Sequence, residues 1–177
     1  MKAGKNIIYW DTSVFLAWLK DEDNEPGVIE GIDATVRQIH NGQIILLTSI
    51  VTDTEVLRGR LSPDAQEKWE AVFKRRNVRM VVHDQRVGRK SNQIRECFDA
   101  RGIIIETPDS IHLATAILYQ ADEMHTLDGK GKRKRSGDLL TLSGDPCVDG
   151  LKIYTPSSPS AQQSLLKGIP PMGKEND

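Results

Sequence analysis

The chain has 177 residues, 24 Lys+Arg against 25 Asp+Glu, a formal net charge of −1 and 38% hydrophobic residues. That length suits one domain with a full core and is short for two. Two cysteines are too few for a disulfide scaffold, so the expected setting is a reducing cytoplasm, with Cys97 an inert helix residue in the core or at its boundary. No apolar run approaches the ~20 residues of a membrane span. The apolar stretch Ile7–Trp10 is too short for a secretory signal and runs directly into Asp11.

Asn6–Trp10 is β-branched and aromatic and reads as a buried strand. Asp11-Thr12-Ser13 then starts a short helix through Leu19, followed by an acidic loop over Asp21–Gly27. Ile29, Ile32, Val36 and Ile39 have helical spacing, and Asn41-Gly42 ends that helix. Ile44–Thr48 is a second apolar strand, and Ser49–Gly59 a capped helix stopping at glycine. Ser62-Pro63 opens another helix, with Ala65, Trp69, Val72 and Phe73 on one face. Val78–Val82 is a third strand, and Asp84 caps a long basic helix reaching Arg101-Gly102.

Ile103–Ile105 is apolar but too short to assign. Thr107-Pro108 starts a helix to Gln120, and Met124–Leu127 is a short strand ending at Asp128. Gly129–Gly137 is a basic, glycine-rich loop, Leu151–Tyr154 an edge strand, and the Pro/Ser-rich remainder a flexible tail. Continuous apolar strands alternating with helices call for a parallel sheet covered on both faces, an α/β sandwich.

The near-neutral total hides sorted charge. Residues 1–70 carry 7 basic and 12 acidic side chains, 71–101 carry 9 and 3, and 102–129 carry 5 acids with no Lys or Arg. Lys130–Arg135 then brings 5 cations. An acidic pocket beside basic surface suits a metal-dependent enzyme acting on a polyanion.

Ligands of open parallel sheets sit beyond the carboxyl ends of the strands. Asp11 and Asp128 each follow a strand, Glu55 lies about two turns beyond the second strand, and Asp109 is in the first turn of the Pro108 helix. Each has an ordinary structural use: a helix cap, a solvated helix face, a complement to the helix dipole, a turn. Independent caps and turns do not explain why all four fall at one edge. Carboxylates gathered there repel one another unless they take up protons or a cation. Oxygen ligands without a Cys or His cluster favour Mg²⁺ or Mn²⁺.

Four segments carry a resemblance. Ile8-Tyr9-Trp10-Asp11-Thr12-Ser13-Val14, Thr48–Gly59, Thr107-Pro108-Asp109-Ser110-Ile111-His112-Leu113-Ala114-Thr115-Ala116 and His125-Thr126-Leu127-Asp128 resemble, in order, the successive motifs of PIN domains, nearest in length and layout to VapC-type toxins. The resemblance implies a three-layer α/β/α sandwich with a central parallel sheet over residues 1–156, followed by a flexible tail at 157–177. It implies a Mg²⁺- or Mn²⁺-dependent ribonuclease with Asp11, Glu55, Asp109 and Asp128 as catalytic and metal-binding acids. Ser13 and Thr126 match the family's hydroxyl positions, there to orient carboxylates. It also implies an RNA substrate, a cognate antitoxin, a homodimer and a cytoplasmic setting.

The basic loop and the tail depart from the family pattern. Lys130, Lys132, Arg133, Lys134 and Arg135 are candidates to grip RNA phosphates, or to be covered by an acidic partner, or to be a solvated loop. His112 follows the Asp109 turn and could reach the site, with a hydrogen-bonded structural histidine the favoured expectation. Competing readings are a non-catalytic RNA-binding scaffold and a housekeeping RNA-processing nuclease. A haloacid-dehalogenase-type phosphotransfer enzyme would want a second acid where Ser13 stands.

Overall fold

A computed structural model describes residues 4–20, 26–56, 60–130 and 135–157. Its strands are β1 (Asn6–Trp10), β2 (Ile44–Ser49), β3 (Val78–Val81), β4 (Glu123–His125) and β5 (Ile153–Tyr154). The helices are α1 (Thr12–Lys20), α2 (Pro26–His40), α3 (Ile50–Glu55), α4 (Pro63–Phe73), α5 (Gln85–Asp99) and α6 (Thr107–Leu118). The strands form one sheet in the order β3-β2-β1-β4-β5, every neighbouring pair parallel.

Alternation along the central strands divides the core into two layers. Ile8, Trp10 and Leu46 face a cluster with Phe15 of α1, Ile32 and Ile39 of α2, and Trp69 and Val72 of α4. Tyr9 and Leu47 face the other way, against Val87, Ile94 and Phe98 of α5 and Leu113 and Ala116 of α6. Residues buried on both faces explain why these strands read as continuous apolar runs. The result is the expected three-layer sandwich around a parallel sheet.

Several boundaries differ from the sequence expectation. α3 ends at Glu55, where Val56 turns into extended backbone, so the helix expected to run to Gly59 is shorter; Gly59 itself lies outside the described residues. β4 ends at His125, two residues before the expected Leu127, and Thr126 leaves the strand to hydrogen bond with Asp11. The interval before β5 contains 3₁₀ turns at Leu139–Leu142 and Pro146–Val148, with Leu139, Leu142 and Val148 buried. Their short periods leave no helical signature in sequence. Of the tail, residues 158–177 lie outside the described residues.

The cysteines also depart from expectation. Cys97 of α5 and Cys147 of the second 3₁₀ turn form a disulfide, their Cα atoms 5.8 Å apart. Arg101 pairs with Asp145 at 2.8 Å and Lys90 with Asp149 at 2.8 Å, so three links tie α5 to this turn. Nothing in a sequence separation of 50 residues announces the pairing. A loop of that length is worth about 4 kcal/mol in the chain-entropy account. Cys97→Ser is accordingly expected to lower the urea midpoint under non-reducing conditions, and dithiothreitol to lower the wild type to the same value. Equal midpoints with and without reductant would count against the bond.

Among the described residues no helix is long and apolar enough to cross a membrane.

Candidate active site

Because β1 and β4 are neighbours, the residues leaving their carboxyl ends meet. The Asp11 N–H donates to the His125 carbonyl at 3.3 Å. The Asp11 side chain is 4% exposed, yet both of its oxygens are occupied. Oδ1 accepts from Ser13 Oγ at 2.6 Å and from the Val14 N–H at 3.2 Å, and Oδ2 accepts from Thr126 Oγ1 at 2.6 Å. The same hydroxyls accept in turn: Ser13 Oγ from the Leu127 N–H at 2.8 Å, Thr126 Oγ1 from the Asp128 N–H at 2.9 Å. Asp11 thus caps α1 and also joins the β1 and β4 ends.

The other acids arrive on separate elements. Glu55 is the last residue of α3, with its side chain 36% exposed. Asp109 stands in the first turn of α6, whose N-terminus receives no side-chain cap. Asp128 follows β4 and is pinned by its own loop, Oδ2 accepting from the Leu139 N–H at 2.8 Å. Asp11, Glu55, Asp109 and Asp128 all line one open cavity of about 520 Å³. Thr12, Ser13 and His112 complete its polar floor, Leu16 and Ile104 its apolar rim, and Arg135–Asp138 one wall. That wall is seated by Gly137 at φ +103°, where a Cβ would stand 2.6 Å from the Ile104 carbonyl oxygen.

The electrostatics are those of crowded anions. Burial raises the Asp11 carboxyl above its ordinary value, against the lowering effect of its hydrogen-bond donors. Asp109 is pushed up to about 7, chiefly by burial and then by Asp128, with Asp11 and Glu106 adding to it. Glu55 moves the other way, held below its ordinary range by the His112 hydrogen bond. Burial first, and the neighbouring anions second, therefore work against the ionised form of Asp109.

The structure brings the four acids to one cavity and sets Ser13 and Thr126 on Asp11. Arg135 reaches the cavity wall and Lys130 is half-buried, while Lys132, Arg133 and Lys134 lie outside the described residues. As placed, no three His, Cys, Asp or Glu side chains among the described residues stand close enough together to hold a metal ion. Sequence reasoning passed over Thr12 and Tyr9. His112, three residues after Asp109 and so on the same face of α6, is buried and hydrogen-bonded and also lines the cavity.

Residues 8–136 match the model of the PIN domain family. The chain belongs to the PIN-domain family. All four acids, both hydroxyls and the basic loop up to Ser136 fall inside the matched span. Comparison with curated protein sequences returns no match.

Among solved structures, this PIN domain is similar to VapBC2 from Rickettsia felis, bound to a DNA fragment from its promoter, at 11% identity and a TM-score of 0.56, over 83% of this chain and 96% of that one. It is similar to FitAcB from Neisseria gonorrhoeae at 19% identity and a TM-score of 0.56, over 84% and 97%. A toxin–antitoxin complex from Klebsiella pneumoniae gives 17% identity and a TM-score of 0.55, over 85% and 98%. At these identities the likeness is one of fold.

Proposed function

We propose that this PIN domain is an endoribonuclease dependent on Mg²⁺ or Mn²⁺ and the toxin of a type II toxin–antitoxin pair. The observation that carries the reading is that Asp11, Glu55, Asp109 and Asp128 line one cavity, together with Glu106 and Asp138, with Asp109 pushed up to about 7. The donor set fits a hard divalent cation: every candidate ligand is an oxygen, and burial together with the neighbouring acids opposes the ionised form of Asp109 that a cation would favour. As placed, the acids form an open arrangement that an ion would have to draw together. Asp11, Asp109 and Asp128 would hold the ion, with Glu55 holding a second ion or orienting the attacking water. When bound, the cation supplies positive charge against the phosphoryl oxygens and lowers the pKa of water.

The remaining roles fall to the chain itself. Ser13 and Thr126 hold the Asp11 oxygens in one orientation, the kind of support that keeps ligand geometry fixed. Arg135 on the cavity wall, with Lys130, Lys132, Arg133 and Lys134, would receive RNA phosphates beside the acids. The neighbours in VapBC2, FitAcB and the Klebsiella complex support a cognate antitoxin as partner, and the family resemblance supports a homodimer and a cytoplasmic setting.

Because water is the nucleophile, cleavage is expected to leave a 5′-phosphate and to need no ribose 2′-hydroxyl. Incubation with structured and unstructured RNA in Mg²⁺, Mn²⁺ or EDTA checks this. Cleavage that continues in EDTA, or that ends in a cyclic phosphate, would sink the proposal.

A further inference from the structure

Behind the acidic cavity lies a buried polar file that the reading above does not use. Tyr9 of β1 is 0% exposed and His112 of α6 2%. The Tyr9 hydroxyl lies 2.7 Å from His112 Nδ1, and the two rings meet edge to face at 5.8 Å. On the far side of the imidazole, Nε2 is 3.4 Å from Glu55 Oε2 and 3.3 Å from Thr12 Oγ1. Thr12 Oγ1 also donates a short hydrogen bond to Glu55 Oε2.

Donor accounting fixes the direction of this file. The single Thr12 hydroxyl proton goes to the Glu55 carboxylate rather than to the more distant Thr52 hydroxyl at 3.4 Å, so Thr12 can only accept from His112. A bare Nε2 would then present its lone pair to a carboxylate, whereas Nε2–H donates to it. With the proton on Nε2, Nδ1 is the acceptor, and the Tyr9 O–H donates to it. Glu55 Oε2 thereby collects two donors from inside the protein, and Oε1 is left for the cavity. Glu55 needs this support more than Asp11 or Asp128. It ends a helix of six residues, and its side chain is 36% exposed, while Asp11 is enclosed and Asp128 is tied to Leu139.

We propose that Tyr9 and His112 are positioning residues: Tyr9 holds the imidazole with its proton on Nε2, and His112 in turn clamps one oxygen of Glu55 so that the other is presented to the divalent cation. This inference rests on the metal-dependent reading above and assigns that reading two residues, His112 in the cavity floor and Tyr9 behind it.

The test uses the full chain and Mn²⁺ alone, followed by calorimetry. His112→Leu is expected to weaken Mn²⁺ binding by about 10- to 100-fold, the usual range for groups that orient a metal ligand. Tyr9→Phe is expected to weaken it several-fold, and His112→Gln, which keeps an amide N–H near the Nε2 position, to restore most of the loss. In a Glu55→Gln background, His112→Leu should add little further loss, because it acts through Glu55. Nitrogen-15 spectra of the wild type should show His112 with a proton on Nε2 and none on Nδ1. The RNA KM should stay put while the Mn²⁺ concentration for half-maximal cleavage rises.

A proton found on Nδ1, or additive losses in the Glu55→Gln background, overturns the inference alone. So does wild-type Mn²⁺ affinity in Tyr9→Phe together with His112→Leu. If His112→Leu does not fold, Tyr9→Phe and His112→Gln decide the matter. A wild-type protein that binds Mn²⁺ no better than Asp11→Asn removes the metal-dependent reading, and this inference with it.

Discussion

Asp11→Asn is expected to reduce RNA cleavage in saturating Mg²⁺ or Mn²⁺ by about 10³-fold, about 4 kcal/mol of barrier, while leaving the protein folded and at least as stable. The two halves of that expectation come from the same surroundings. Asp11 is almost fully enclosed, and burial already works against its ionised form. The neutral amide relieves that desolvation. With its carbonyl oxygen at the Oδ1 position the amide can still accept from the Val14 N–H and the Ser13 hydroxyl, and the Thr126 hydroxyl can rotate to accept from the new NH₂ group at the Oδ2 position. The cap on α1 therefore survives.

The anionic charge between the β1 and β4 ends does not. Loss of that charge removes the most enclosed of the candidate metal ligands, and no other acid can move into its place without leaving its own element. Cleavage assays beside thermal melts check both halves. Activity within tenfold of wild type would show that Asp11 is a cap and nothing more. A collapsed fold would show that its ionised form is structural.

The sequence carried the sheet and its order of acids well, because those features rest on strong local signals. β1 and β2 are apolar runs, and each leads straight into a capping residue, Asp11 just after β1 and Ser49 as the last residue of β2. Asp109 was placed by Thr107-Pro108, a helix start that admits little alternative. Features that depend on contacts between distant segments were not legible. The Cys97–Cys147 bond needs α5 and a 3₁₀ turn to be adjacent. The Tyr9–His112–Glu55 file needs β1, α6 and α3 to be assembled.

Two particular residues show where the boundary lies. Thr126 reads as the end of a strand, and only in three dimensions does its hydroxyl turn to Asp11. His112 offered one usable clue, its spacing of three from Asp109. That spacing places it on the cavity side of α6 but says nothing of what it touches. Both residues are polar and buried, and the side-chain partners that tie Thr126 to Asp11 and His112 to Tyr9 and Glu55 are more than 50 residues away in the chain. Local propensity has no access to such pairs.

Asp109→Asn is expected to divide stability from activity, and pH makes the division measurable. In the ion-free folded protein the Asp109 carboxyl keeps its proton up to about 7, whereas in the unfolded chain it gives it up near 3.8. Between those values the folded state binds more protons. The stability from this group is therefore fully present below the unfolded value, declines as pH rises, and is gone above about 7. Three pKa units in full would be about 4 kcal/mol; the partial exposure of Asp109 reduces that to about 2 kcal/mol.

The asparagine variant lacks this slope. Without divalent ions it should exceed the wild type by about 2 kcal/mol at pH 8 and fall level with it below pH 4. Cleavage by the same variant should drop by about 10²-fold or more, since a candidate metal ligand is lost. Mn²⁺ should reverse the comparison at pH 8, stabilising the wild type far more than the variant and displacing the Asp109 proton. Urea titrations at pH 5 and pH 8, with and without Mn²⁺, give all four differences. If the wild-type and variant curves run parallel across that range, Asp109 is not the strained member of the cluster, and the cation is drawn there by something other than uncompensated charge.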